Sequence, residues 1–230
     1  MALNKIVFKT RALTAFVFVL VMLTGLFINF YSFVCLFLII MGGSLYEFRK
    51  IIKLIRPSKY FGLLALSMPY IIIPILMMIE LGKKNYHQDL SPANYSPLIP
   101  IAIILSIWIN DTMAYLVGSF IGKTPFSKIS LKKTWEGTVG GGILCITIMG
   151  IITHFVTAFY SLPLKHWLAI ASICAVFGTL GDLLESKIKR TANIKDSGSF
   201  MPGHGGFLDR FDSLLVATPF VWLYVQLFVR

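Results

Sequence analysis

The sequence predicts an all-α fold: a polytopic integral membrane helical bundle of about seven transmembrane helices, with the N-terminus cytoplasmic. Three observations predict it. Hydrophobic residues make up 57% of the 230, above the roughly 45–50% of a soluble domain. Charged residues make up 13%, about half the usual ~25%. The apolar residues also fall into runs of membrane-crossing length, with the basic residues gathered between them. A net charge of +11 would suit nucleic acid if it lay on one soluble face. Confined to short loops, it sets topology and meets anionic headgroups instead, so membrane lipids are the expected surroundings and no nucleic acid the expected partner. Cys35, Cys145 and Cys174 all lie inside apolar runs. They read as small buried hydrophobes, without disulfide or metal spacing.

The elements follow in order. Met1 to Arg11 holds Lys5, Lys9 and Arg11 and no acid, a cytoplasmic lead-in. The next run is too long for a secretory signal and ends without a small-x-small site, so it reads as a retained span. Ala12 to Tyr46 is free of charge. The basic cluster Arg49, Lys50, Lys53, Arg56 and Lys59 follows, and it belongs on the same side as the N-terminus. Only an even number of crossings achieves that, so the run is a tight hairpin, about 12–28 and 31–47, turning at Asn29 to Ser32. Phe61 to Ile79 is the third span, kinked at Pro69 and Pro74. Glu80 to Pro97 is an outside loop. Leu98 to Gly118, Thr138 to Ala158, Trp167 to Leu184 and Ser213 to Val229 are spans four to seven. All but four of the 21 Lys and Arg (Lys83, Lys84, Lys165 and Arg230) then lie inside. The chain divides into an N-terminal region, 1–97, with three spans and an outside loop, and a C-terminal region, 98–230, with four spans and the cytoplasmic loops that carry chemistry.

Half of the ten acids, Asp182, Glu185, Asp196, Asp209 and Asp212, fall between Gly178 and Asp212. Asp182, Glu185, Ser186 and Lys189 recur at helical spacing on one face. An acid among Leu180, Leu183 and Leu184 is expensive unless it faces a wet cavity; Glu185 with Lys189 has the plainer reading of a helix-end salt bridge. The run Met201 to Asp212 follows. Its glycines, Gly203, Gly205 and Gly206, expose backbone N–H groups that cradle phosphate. His204 is a candidate contact for a phosphate or a base. Asp209 and Asp212 open the last span on one face; a helix cap is the plain reading of such an Asp. With Asp182 they make three carboxylates around one opening, hard ligands suited to Mg²⁺ held together with substrate phosphates. A second metal ion is compatible with the set, and spacing does not count them.

This segment resembles the signature of the phosphatidate cytidylyltransferase family, the CDP-diacylglycerol synthases. The resemblance is carried by Ser186, Lys189, Arg190, Lys195, Asp196, Gly198, Pro202 to Gly206, Asp209, Arg210 and Asp212. A second block, Asp111 to Gly118 and Ser130 to Gly137, is similar to the family's upstream motif, with Leu131 where a proline is common. Its Lys132 and Lys133 are candidates to neutralise phosphates, whereas Lys128 fits a positive-inside loop. The resemblance covers about residues 108 to 220. The N-terminal half matches only in layout, with Tyr46-Glu47-Phe48 closing the second span, and the chain looks like a short member.

The resemblance implies transfer of CMP from CTP to phosphatidate with release of pyrophosphate, dependence on Mg²⁺, and a homodimer; the glycine-rich fifth span offers a contact surface. Size and layout suggest the bacterial inner membrane. Asp182, Asp209 and Asp212 are the expected metal ligands and, with Lys189, the catalytic set. Lys132, Lys133, Ser186, Arg190, His204, Gly205, Gly206 and Arg210 are the expected substrate contacts, and Asp111 an orienting acid. Two other readings compete: a CTP-dependent polyprenol or phytol kinase, which would release CDP, and a transporter, for which acids in spans and a proline-kinked helix speak but no internal repeat does.

Overall fold

The computed structural model describes residues 5–84, 91–127, 129–130, 133–200 and 205–229, and every regular element among them is helical. The first two helices, α1 (Lys5–Phe27) and α2 (Phe30–Ile55), form the expected hairpin. Its turn is local chemistry. The Asn29 side chain accepts from the Ser32 N–H at 2.8 Å, and the Ser32 hydroxyl accepts from the Asn29 N–H at 3.0 Å, a reciprocal cap. The second helix runs well past Glu47. Lys and Arg are good helix formers and nothing breaks the chain before Pro57, so Arg49, Lys50 and Lys53 ride on helix instead of loop, while Arg56 and Lys59 follow its end.

The third predicted span is broken. A short α3 (Tyr60–Leu64) and α4 (Ile73–Glu80) flank a π-helical turn at Met68–Ile72. The two halves are bent by 48°. Pro69 and Pro74 each lack an N–H, and the ladder re-forms one residue wider, with the Ile73 N–H reaching the Met68 carbonyl. The C-terminal half is α5 (Leu98–Ile121), α6 (Trp135–Phe155), α7 (Leu164–Thr191) and α8 (Leu208–Phe228). The packing runs α5 on α6, α6 on α7 and α7 on α8, with α4 closing against α8.

Among the described residues five helices, α2, α5, α6, α7 and α8, are long and apolar enough to cross a membrane, and the bent pair makes a sixth if it is one span. Large apolar side chains cover the outside: Phe61 is 85% and Phe120 83% exposed. Water would penalise such a surface, whereas hydrocarbon does not. The molecule is an all-α integral membrane bundle. Cys145 and Cys174 are buried as expected, but Cys35 is exposed on this apolar exterior, where an uncharged thiol needs no protein cover.

The glycines of α6 serve contacts within the chain. A Cβ on Gly141 would stand 2.6 Å from the Ala114 nitrogen, and one on Gly137 2.7 Å from the Ala114 carbonyl oxygen. This small-residue seam lets α5 and α6 touch along their backbones, and it is unavailable as a surface for a second copy. Gly141→Leu should force the helices apart and cost about 1–3 kcal/mol, read as a lowered thermal midpoint in detergent. An unchanged midpoint would mean that the seam is not packed in this way.

Candidate active site

One cavity, of about 520 Å³, gathers most of the predicted chemistry. Its walls are the end of α5, the segment entering α6, the last turns of α7 and the first turn of α8. Asp111, Lys133, Asp182, Lys189, Asp209 and Asp212 all line it, with Asp196 and Arg210 at its edge.

The segment entering α6 is held in place by its own backbone. Phe126 N–H donates to the Lys133 carbonyl at 2.7 Å, and Trp135 N–H to the Thr124 carbonyl at 2.9 Å. Thr134 caps the helix by accepting from the Gly137 N–H at 3.1 Å. Glu136 accepts from the N–H groups of Lys123 and Thr124, each at 3.2 Å. The Phe126 and Trp135 rings meet edge to face at 4.5 Å. Lys133 is thereby aimed across the cavity, where it pairs with the Asp182 carboxylate. Both partners are about a quarter to a third exposed, as groups that exchange partners with a substrate must be.

On α7, Asp182 also accepts from the Ser186 hydroxyl at 3.3 Å, one turn on. A Cβ on Gly181 would lie 2.6 Å from the Asp212 carbonyl oxygen, so α7 and α8 approach closely where Asp182 and Asp212 stand. Lys189 lies deeper. Its ammonium bridges Glu185 at 2.5 Å and Asp209 at 2.6 Å. Glu185 is 2% exposed and takes the plainer of its two readings, the ion pair with Lys189. Burying two carboxylates around one ammonium is tolerable only because the geometry is close and further donors are supplied.

Those donors converge on Asp209. Its Oδ1 takes Lys189. Its Oδ2 accepts the Gly206 N–H at 2.8 Å and the Ser197 N–H at 2.9 Å, with the Ser197 hydroxyl also at 2.9 Å. Gly205 makes this turn possible. Its φ is +83°, and a Cβ there would stand 2.5 Å from Asp209 Oδ2. Asp209 is thus the knot of the loop that precedes α8. Asp212 lies one turn on, 8% exposed, with Oδ1 taking the Ser213 N–H at 2.6 Å.

One expected contact stands apart. Arg190 is exposed, and its guanidinium donates to the Ile194 carbonyl at 3.1 Å, closing the C-terminus of α7, where Asn193 takes φ 55°. Lys132 and His204 lie outside the described residues. One residue that sequence reasoning passed over is Glu47. It is 4% exposed and accepts three hydrogen bonds from the loop and from the start of α8. The signal was available: Glu47 is the sole acid before Glu80, and an isolated acid beside an apolar run calls for a partner.

The donor set can be tested against Mg²⁺. Among the described residues no three of His, Cys, Asp and Glu converge tightly enough to hold an ion unaided. An ion carried with substrate phosphates needs only one or two carboxylates, and Asp182 and Asp212, facing one cavity from adjoining helices, supply two. The residues present therefore fit Mg²⁺ brought by a nucleotide better than a resident cage.

Comparison with known proteins bears on the same stretch. The sequence profile of the cytidylyltransferase family matches residues 86–228. The chain belongs to the cytidylyltransferase family. The match takes in α5 to α8 and hence every wall of the cavity. A phosphatidate cytidylyltransferase of Bacillus subtilis (strain 168) is 43% identical over 123 residues, 53% of this chain and 45% of that protein. The chloroplastic phosphatidate cytidylyltransferase 4 of Arabidopsis thaliana is 43% identical over 118 residues, 50% of this chain and 29% of that one. A phosphatidate cytidylyltransferase of Staphylococcus saprophyticus is 37% identical over 155 residues, 67% of this chain and 55% of the relative. The chain spans about half the length, or less, of these curated cytidylyltransferases.

Proposed function

We propose that the protein transfers CMP from CTP to phosphatidate, forming CDP-diacylglycerol and pyrophosphate, in the manner its relatives' names describe. The observation that carries the reading is the single cavity in which Asp182, Asp212, Lys133 and Lys189 meet, inside the segment matched by the family. The reaction needs little covalent help. An ionised phosphate oxygen of phosphatidate attacks the α-phosphorus of CTP. One P–O bond forms, the α–β bridging bond breaks, and its electron pair leaves on pyrophosphate. Catalysis is then alignment and charge neutralisation.

In this reading Asp182 and Asp212 would hold Mg²⁺, and Asp209, the third carboxylate of the expected set, anchors the loop beside them while paired with Lys189. A bound Mg²⁺ supplies neutralisation of phosphate charge. Lys133 leaves Asp182 for a phosphate. Ser186, Gly205 and Arg210 offer further donors, the Gly206 N–H is engaged by Asp209, and Lys132 and His204 remain candidates from the sequence. The acyl chains stay in the bilayer and enter between spans. We assign α1 as a seventh crossing, the N-terminus and the cavity to the cytoplasm, residues 98–230 as the catalytic region behind an N-terminal region 1–97, and a bacterial inner membrane as the setting. A homodimer would use a face other than the α5–α6 seam.

The test is direct. Purified protein is incubated with phosphatidate, CTP and Mg²⁺, and both lipid product and pyrophosphate are followed. CDP-diacylglycerol and pyrophosphate should form together, and EDTA should abolish both. CDP without pyrophosphate would mean a lipid kinase, and neither product in folded protein would refute a CTP-dependent transferase.

A further inference from the structure

The matched segment begins only at residue 86, so the N-terminal helices, which lie outside it, are not expected to reach the site. Glu47 departs from that expectation. It sits on α2, before the basic cluster, and its carboxylate is almost wholly enclosed. Oε1 accepts the Phe207 N–H at 3.0 Å. Oε2 accepts the Leu208 N–H at 3.0 Å and the Ser197 hydroxyl at 2.7 Å. Phe207 and Leu208 are the residues at which α8 begins. The first N–H groups of a helix have no partner within it, and an anion at that end is favoured by the helix dipole. Here the anion arrives from another helix, about 160 residues earlier in the chain.

The surroundings are shaped for it. A Cβ on Gly206 or Gly198 would collide with the Glu47 carboxylate. Phe207 lies over Gly43, one turn back along α2, so closely that a Cβ there would also collide. Ser197 joins the two carboxylates of the loop. Its hydroxyl stands 2.7 Å from Glu47 and 2.9 Å from Asp209, while its N–H donates to Asp209. The hydroxyl has one proton. Asp209 Oδ2 already takes two backbone N–H groups, so the proton is better placed on Glu47.

We propose that Glu47 is a positioning residue: from α2 it fixes, through three hydrogen bonds, the turn that begins α8, and with it the bearing of Asp209 and Asp212 into the cavity. The N-terminal region is on this account part of the catalytic apparatus. The claim about the turn stands on geometry alone, and the claim about turnover rests on the proposed transferase reading.

Glutamine at this position keeps the size and can retain two of the three bonds, but sets an amide N–H against a backbone N–H. Alanine removes all three. Aspartate is one methylene short. The full-length protein in detergent is examined first by hydrogen exchange. In Glu47→Ala the amides of Phe207 and Leu208 should exchange at least about tenfold faster, with α5 and α6 unchanged. Glu47→Gln should lie between Ala and wild type, and it also covers the case in which the alanine variant fails to fold. Turnover should fall about 10- to 100-fold in the alanine variant, follow the order Glu, Gln, then Asp and Ala, and need more Mg²⁺ for half-maximal rate. A merely structural role would reduce the amount of active protein and leave that Mg²⁺ requirement where it was. Unchanged exchange at Phe207 and Leu208, equal acceleration in every helix, or an unmoved Mg²⁺ requirement would each overturn the proposal. Faster exchange at Phe207 and Leu208 in the variants, together with a wild-type protein that makes no CDP-diacylglycerol, would leave the helix-start assignment standing and overturn the transferase reading.

Discussion

Asp209→Asn should abolish turnover, by at least about 10³-fold, in protein that still inserts and elutes as wild type does. The reason lies in the number of donors that meet this carboxylate. Lys189 comes to Oδ1, and the N–H groups of Gly206 and Ser197 come to Oδ2. An asparagine has one acceptor oxygen and one NH₂ group. Whichever way it turns, the NH₂ faces either an ammonium or two backbone N–H groups. The loop must then open, and a displacement of about 1 Å at a reacting site costs about 10²-fold. Loss of the carboxylate charge, where phosphates and their cation must be balanced, costs about as much again. The measurement is lipid product formed per minute by purified variant and wild type. A variant within tenfold of wild type would remove Asp209 from the site.

Lys189→Met should give the largest loss of stability. The side chain is 13% exposed, and its partners Glu185 and Asp209 are 3% and 5% exposed. Methionine fills much the same space but leaves two buried carboxylates with no cation between them. Breaking a buried pair in this way costs about 3–5 kcal/mol, which for a chain of this size corresponds to roughly 10 °C in thermal midpoint. The double variant Glu185→Gln with Lys189→Met separates two explanations. Neutralising Glu185 should recover part of the stability, because one of the stranded charges is gone. Activity should stay lost, because the ammonium that orders Asp209 is still absent. A single variant as stable as wild type would mean that water reaches the pair freely. A double variant that regains turnover would mean that Lys189 serves the fold alone.

Much of this architecture is written in short-range patterns. The hairpin between α1 and α2 is legible because Asn29 and Ser32 sit three residues apart in a cap and the charge count demands two crossings. The break in the third span is legible because Pro69 and Pro74 lack donors. Asp182, Ser186 and Lys189 are legible because helical spacing stacks them on one face of α7. Other features have no local mark. Arg190 stands in a motif that suggests phosphate, yet an arginine in the last turn of a helix has a carbonyl within reach, and Ile194 takes it. The span expected at about 31–47 continues as helix to Ile55, because charge does not stop a helix and the nearest breaker is Pro57. The glycines of α6 announced a close contact without saying with what, and the partner is α5. Glu47 was the hardest to place, since its three donors are about 150 to 160 residues away and no periodicity reaches so far.

That distance has a consequence for how the molecule is made. A ribosome adds roughly 5–20 residues each second, so α2 is complete roughly 10–30 s before Leu208 is joined to the chain. Until Ser197 is made the Glu47 carboxylate has none of the three groups that later enclose it, and hydration is its least costly alternative. The hairpin that carries it is therefore expected to lie shallower at first insertion than in the finished molecule. A nascent chain truncated before residue 197, which lacks all three partners, should hold its N-terminal half in a shallower, more protease-accessible position than the finished molecule does.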